Sequence, residues 1–221
     1  MKRLFQLVLL LAAAFCFVGA PVGTRPARAQ SLGKASADFP NLKPNRQETA
    51  WGRLVADAVQ SAGKADVALI SAGALRSGTL EAGDVESTDL AALLSFGEDN
   101  VVTLSLSGAQ IRAALERAAS AFPTGSPAFL HCAGLSASFD AGAPSGKRVT
   151  SIRVAGRALD EAVTYATAMP VSLAEGAAGY FNIWSGAQAR ASNISLQDAI
   201  ADVFREKKEI APIESARFGP K

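Results

Sequence analysis

Histidine is nearly missing from this chain: one residue, His131, in 221. A catalytic metal centre needs several His, Asp or Glu ligands close together, and no Asp-x-His or Asn-His pair occurs. A dinuclear phosphoesterase centre is therefore excluded from these residues, and neither a metal nor a cofactor is expected. A serine triad would have only His131 to use, and no Gly-x-Ser-x-Gly elbow exists. Two Ser-x-x-Lys strings, Ser31–Lys34 and Ser61–Lys64, lack a Lys-Thr-Gly partner, and no phosphate loop of P-loop or dinucleotide type is present. Cysteine is almost as scarce, with Cys16 and Cys132 alone. Cys132 adjoins His131, but neighbours on a strand point to opposite faces, which separates thiol from imidazole.

Long apolar runs are absent too, save one near the start. Lys2 and Arg3 precede an apolar run of fifteen residues, Leu4–Val18, broken only by Gln6, and a polar stretch then ends in Ala27-Arg28-Ala29. This is the pattern of a secretory leader cut before Gln30, and the run falls short of the roughly 20 residues of a membrane span. Residues 1–29 are expected to be removed and the rest exported, to a periplasmic or extracellular place, with no membrane attachment. The whole chain carries a net +2, yet Lys2, Arg3, Arg25 and Arg28 all lie in the leader. What remains has eighteen basic and twenty acidic residues, with no basic run, so nucleic acid is not an expected partner.

Residues 30–46, with Pro40 and Pro44, read as an extended lead-in, and 47–219 as one domain. Trp51, Leu54, Val55, Ala58 and Val59 form one buried stripe of a helix over Gln47–Ala62, ended by Gly63. Thr88 is placed to cap a short helix, Asp89–Leu94, and Val101–Leu106 reads as a strand. Ser107 and Gln110 form a capping box for a helix reaching Phe122. Ala128–Cys132, Leu135–Phe139, Arg148–Val154 and Val163–Met169 read as a meander of strands between turn clusters. Ser195 with Asp198 caps a last helix to about Lys208. The sum is an α+β fold: a single domain of mixed β-sheets layered with about four helices.

The stretch Ala65–Arg76, ADVALISAGALR, is the centre of the functional reading. A buried strand runs into a loop of small residues, which allow close approach to the backbone, and ends on an arginine suited to an anion. A second small-residue loop, Pro170–Gly179, is followed by the aromatics Tyr180, Phe181 and Trp184.

The order of these segments resembles the C-terminal, substrate-recognising domain of the 5′-nucleotidases, the group of periplasmic UDP-sugar hydrolase and ecto-5′-nucleotidase. The resemblance runs through Glu48–Ala58, Ala65–Arg76, Gly83–Gly97, Val101–Leu115, Leu130–Val154 and Thr164–Tyr180, and more faintly Glu214–Phe218. It implies a pocket for a nucleoside, with catalysis supplied by an N-terminal metallophosphatase domain. No such domain is expected here, since the lead-in follows the leader directly.

The resemblance carries over residue by residue only in part. Arg76 matches the family's substrate-contacting arginine, while Ser71 and Gly73 stand in a loop usually written Asn-Gly-Gly-Gly-Ile-Arg. Phe96 matches the first of two base-stacking phenylalanines. Ser172 replaces the second, Ala178 replaces an aspartate that binds ribose hydroxyls, and Tyr180 ends that motif. Arg46 is close to an arginine the family uses, and Arg53 stands where it commonly has asparagine. Losing one stacking face forfeits about 1–3 kcal/mol, and losing the carboxylate about 1.5–3 kcal/mol, so nucleoside affinity is expected to fall about tenfold to a thousandfold.

Three readings stay open at this point. The chain binds a nucleotide-like small molecule in a cleft between residues 71–78, Phe96 and 170–180. Alternatively it completes a 5′-nucleotidase with a separate metallophosphatase chain, docked through the aromatics Tyr180 and Trp184. Or it keeps the fold with no ligand, its pocket filled by its own side chains.

Overall fold

A computed structural model describes residues 31–221. The expected leader lies outside the described residues. In chain order the elements begin with strands β1 (Gly33–Ala35) and β2 (Phe39–Asn41), helix α1 (Ala50–Gly63), and strands β3 (Val67–Ser71), β4 (Gly78–Leu80) and β5 (Gly83–Val85). Next come α2 (Ser87–Ala92), β6 (Asn100–Ser107), α3 (Gly108–Ala119), β7 (Leu130–Ala133), β8 (Leu135–Phe139), β9 (Val149–Val154) and β10 (Arg157–Ala158). The chain closes with β11 (Thr164–Pro170), α4 (Val171–Ala174), α5 (Phe181–Trp184), β12 (Ala189–Ser195), α6 (Leu196–Lys207), β13 (Glu209–Ile210) and β14 (Phe218–Pro220).

The fold is α+β, built on a five-stranded mixed sheet in the order β12-β6-β11-β3-β7. Both of its faces are covered, which is why β3 is apolar without alternation. Val67 and Leu69 enter a core shared with α3 and the sheet β10-β9-β8-β14, whereas Ala68 and Ile70 enter a core shared with α1 and α6. The same alternation parts the two residues of β7 singled out above: Cys132 lies in the α3-side core, and His131 packs against α1. A Cβ on Gly52 would stand 2.0 Å from His131 Nδ1, so α1 needs glycine where the imidazole meets it. His131 accepts from the Thr49 N–H at 3.4 Å and approaches the Pro44 carbonyl at 3.0 Å. Burial pushes its pKa down to about 4, so it is a neutral structural group.

Several boundaries differ from expectation for local reasons. Helix α1 starts at Ala50 behind an N-cap on Thr49, three residues later than its stripe suggested. Glu48, outside it, turns its buried carboxylate to the N–H groups of Cys132, Arg217 and Phe218, tying β7 to β14. Lys64, not Gly63, takes the left-handed conformation that ends the helix. Helix α2 starts behind Glu86, which forms a capping box with Asp89, so Thr88 lies inside it rather than capping it. The box of Ser107 with Gln110 is present, and Ser195 accepts from the Asp198 N–H as expected. Six α-helices occur among the described residues, and the four-residue α4 and α5 are the two beyond the expected four. The second half is not a plain meander: β8, β9 and β10 pair in succession, but β11 returns to the middle of the central sheet. The lead-in is extended but not separate, because β1 pairs with β13 and β5, and β2 with β4.

Candidate functional site: an open edge of the central sheet

Strands β3 and β11 are parallel neighbours, with Val67 beside Thr167, and β6 runs antiparallel with Val101 opposite Pro170. Ser71, Pro170 and Asn100 therefore end or begin strands at the same edge, as does Leu130 opposite Ser71. Loops leaving the carboxyl ends of parallel strands are where such sheets place ligands. Here the segments 72–77, 95–99, 123–129 and 171–180 meet.

The first loop is locked by its neighbours. Ser71 is buried and leads into a single 3-10 turn, Ala72–Ala74. The Ala72 N–H donates to Phe129 O at 2.8 Å and the Gly73 N–H to Pro127 O at 3.1 Å. Those amides are thus unavailable to an anion. The close approach at Gly73 is made by Pro127, which a Cβ would meet at 3.4 Å. Leu75 then bridges Leu94, with the Arg76 N–H on Leu93 O and the Ser95 N–H on Ala74 O. Arg76 accepts Asn41 Nδ2–H at its carbonyl, but its exposed guanidinium has no partner among the described residues.

This antiparallel bridge ties the loop that ends on Arg76 to the segment that leads into Phe96. The Phe96 turn is closed by the Asp99 N–H on Phe96 O, and the first amides of α6 hold it: Leu196 donates to Asp99 O and Gln197 to Gly97 O. With its backbone held, the Phe96 ring is 61 % exposed. Ser172, half-exposed at the start of α4, joins this turn by donating its N–H to the Asp99 carboxylate at 3.1 Å.

Tyr180 goes elsewhere. Its ring is fully buried, stacked on Trp184 with centroids 4.9 Å apart, and its hydroxyl donates to Ala128 O at 2.5 Å. Burial raises its pKa. Arg117 of α3 lies 5.4 Å over the ring and donates through Nε and Nη2 to Ala178 O. The Trp184 indole donates to Leu173 O at 2.7 Å. Neither aromatic is exposed for docking; both seal the second core, leaving Phe181, 66 % exposed, as that loop's outward ring.

The edge thus gathers Ser71, Gly73, Arg76, Phe96 and Ser172 through backbone pairing and excludes the Tyr180 ring. Asp99 and Arg117 were not anticipated. Only the Gly97-Glu98-Asp99 turn hinted at the first, and the second stands on the solvent-facing side of an ordinary helix stripe. Clefts of about 540, 210, 560, 290 and 240 Å³ among the described residues are lined by residues other than Ser71, Gly73, Arg76, Phe96 and Ser172. Among the described residues no three His, Cys, Asp or Glu side chains are grouped to hold a metal ion. No helix among them is long and apolar enough to cross a membrane.

The family model described as 5′-nucleotidase, C-terminal domain, matches residues 28–186. A 5′-nucleotidase-related protein of Glossina morsitans morsitans is 30 % identical over 213 residues, covering 85 % of this chain and 37 % of the relative. Among solved structures, a 5′-nucleotidase precursor from Thermus thermophilus superposes with a TM-score of 0.81 at 24 % identity, covering 86 % of this chain and 39 % of that one. A putative 5′-nucleotidase from Staphylococcus aureus, in complex with alpha-ketoglutarate, gives 0.74 at 19 % identity, covering 87 % and 41 %. The chain spans about two fifths of the length of these relatives.

Proposed function

The chain belongs to the 5′-nucleotidase C-terminal domain family, and we propose that it is an exported recognition module that binds a nucleotide-related or other small ligand without hydrolysing it. One observation carries the reading. Arg76 and Phe96 present an unpaired guanidinium and a bare ring from two segments whose backbones are locked together. Side chains held ready on fixed backbone lose little entropy on binding. A guanidinium suits phosphate or carboxylate, and a phenyl face suits a flat base. Ser71 and Gly73 shape the floor, Ser172 flanks it, and Tyr180 braces the neighbouring loop from within the core.

Calorimetry of the secreted protein with adenosine, AMP and UDP-glucose tests this. Binding in the micromolar to millimolar range is expected, weakened about tenfold by Arg76→Ala. Silence towards all three probes at millimolar concentration sinks the reading. The protein alone is also expected to leave AMP intact whatever divalent ion is added. Turnover that survives removal of contaminating phosphatase would overturn that half of the claim.

A second reading makes the chain the substrate-binding component of a 5′-nucleotidase completed by a separate metallophosphatase chain. It is favoured by the match of this chain to a family model described as the C-terminal domain of 5′-nucleotidases. Mixing the protein with a purified lone metallophosphatase domain is the check, and unchanged AMP turnover counts against it.

A further inference from the structure

The carbonyl of Arg76 is one end of a buried chain of hydrogen bonds that begins at His131. Asn41 of β2 donates through Nδ2 to Arg76 O at 2.6 Å, and its Oδ1 accepts from the Thr49 hydroxyl at 2.6 Å. That hydroxyl also caps α1 by accepting the Gly52 N–H at 3.0 Å. The Thr49 N–H donates to His131 Nδ1, which therefore carries no proton, and His131 Nε2–H donates to the Pro44 carbonyl. Asn41, Thr49 and His131 are all buried, so bulk water does not replace these links. With its N–H on Leu93 O at 3.0 Å and its carbonyl on Asn41, the Arg76 peptide is held from both sides while its guanidinium stays exposed.

A second proton on the imidazole has no acceptor, because Nδ1 faces the Thr49 N–H and two donors would meet. The charged groups around the ring do not supply one. Arg53 of α1 is positive and opposes protonation. The Glu48 carboxylate, ahead of α1, is taken by the N–H groups of Cys132, Arg217 and Phe218. Arg217 of the C-terminal segment turns to Asp57 and to the Cys132 carbonyl, and Arg46 of the lead-in is exposed beside Gly125. Ile70, opposite on β3, and the Phe129 ring bring no charge. Burial, the largest influence, pushes the His131 pKa from 6.5 down to about 4, so acid between those values favours an opening that lets water reach the ring.

We propose that Asn41 is a positioning residue for Arg76, and that the relay from Asn41 through Thr49 to His131 loosens the Arg76 loop in mild acid, weakening its hold on an anionic ligand. The inference rests on the recognition reading above and adds a means of regulation to the same edge. Protonation of His131 breaks its link to Thr49, the hydroxyl leaves Asn41, and the Arg76 carbonyl loses its anchor. Apparent affinity then falls with the fraction of molecules that remain locked.

The experiment titrates UDP-glucose, whose charge is constant between pH 7.5 and 5, into the wild type, Asn41→Ala, Arg76→Ala, their double variant and the non-titrating His131→Asn. Hydrogen exchange over residues 72–80, corrected for its intrinsic pH dependence, is read on the same proteins without ligand. Wild-type affinity is expected to fall at least about fivefold at pH 5, with faster exchange over 72–80, and His131→Asn to show neither change. Asn41→Ala should weaken binding about threefold or more at pH 7.5, yet add nothing where Arg76 is already alanine, as groups acting in series do. If His131→Asn does not fold, Asn41→Ala takes its place, and exchange over 72–80 should be fast at both pH values. A wild type indifferent to pH, or a response that persists in these variants, overturns the acid response. Losses that add in the double variant overturn the role of Asn41. In each case binding of UDP-glucose at pH 7.5 leaves the recognition reading standing. If UDP-glucose does not bind even there, the hold on ligand falls with that reading, and exchange alone decides the relay.

Discussion

Phe96 and Tyr180 start from similar sequence settings and end as opposites. Each is an aromatic beside small residues, in a loop at the same end of the central sheet. Phe96 is 61 % exposed and Tyr180 not at all. The backbone around Phe96 is consumed by the bridge to Leu75 and by the first amides of α6, which leaves the ring nothing to cover it. Tyr180 finds the Ala128 carbonyl for its hydroxyl, Trp184 for one ring face and Arg117 near its ring. A buried tyrosine needs a partner for its O–H, and only one of the two loops supplies such an environment. The edge therefore has a closed half that holds the fold and an open half available to a ligand.

The comparison is broken most severely at the closed half. Tyr180→Ala should cost about 3–5 kcal/mol, the range for removing a buried aromatic, read from urea unfolding. A loss below about 1 kcal/mol would mean that the ring is not the brace described.

A second test uses acidity. His131 is buried and neutral, with its pKa pushed from 6.5 down to about 4. Its stabilising contribution is complete above pH 6.5 and disappears as pH falls towards 4. At 1.36 kcal/mol per unit this amounts to at most about 3.4 kcal/mol. Glu48 works in the other direction. Burial, its largest influence, raises its pKa against three backbone N–H bonds, so its contribution declines as pH rises above 4.5. The expected outcome is acid destabilisation through the window from 6.5 to 4, flattened in His131→Asn. An unchanged slope in that variant would remove His131 as the cause.

The smallest stability effect belongs to the open half. Phe96→Ala and Arg76→Ala should each stay within about 0.5 kcal/mol of wild type, as exposed side chains without partners do. Only ligand affinity should separate them from it. Losses above about 1.5 kcal/mol would mean that these groups are structural after all.

Legibility followed the range of the interactions. Capping at Ser107 and Ser195 was visible because donor and acceptor sit three residues apart. The stripes of α1 and α6 were visible because their period matches the helix. Glu48 misled, since it is a good helix former whose carboxylate is used by partners up to 170 residues away. The return of β11 to the central sheet had no local signature, being a pairing with distant β3 and β6. At the site, Arg76 and Phe96 could be named from their loops. The burial of Tyr180 could not, because it depends on Ala128, 52 residues away.

Ala178 keeps a positive φ of 55°, a conformation alanine adopts at a cost of about 1–2 kcal/mol and asparagine or aspartate more readily. Arg117 grips its carbonyl, and Gly179 leaves room for that guanidinium, so the main chain is shaped for a residue with a short polar arm. Asp or Asn at this position would meet a cast already poured: Ala178→Asn is accommodated by the main chain as it stands, with no rearrangement of the scaffold.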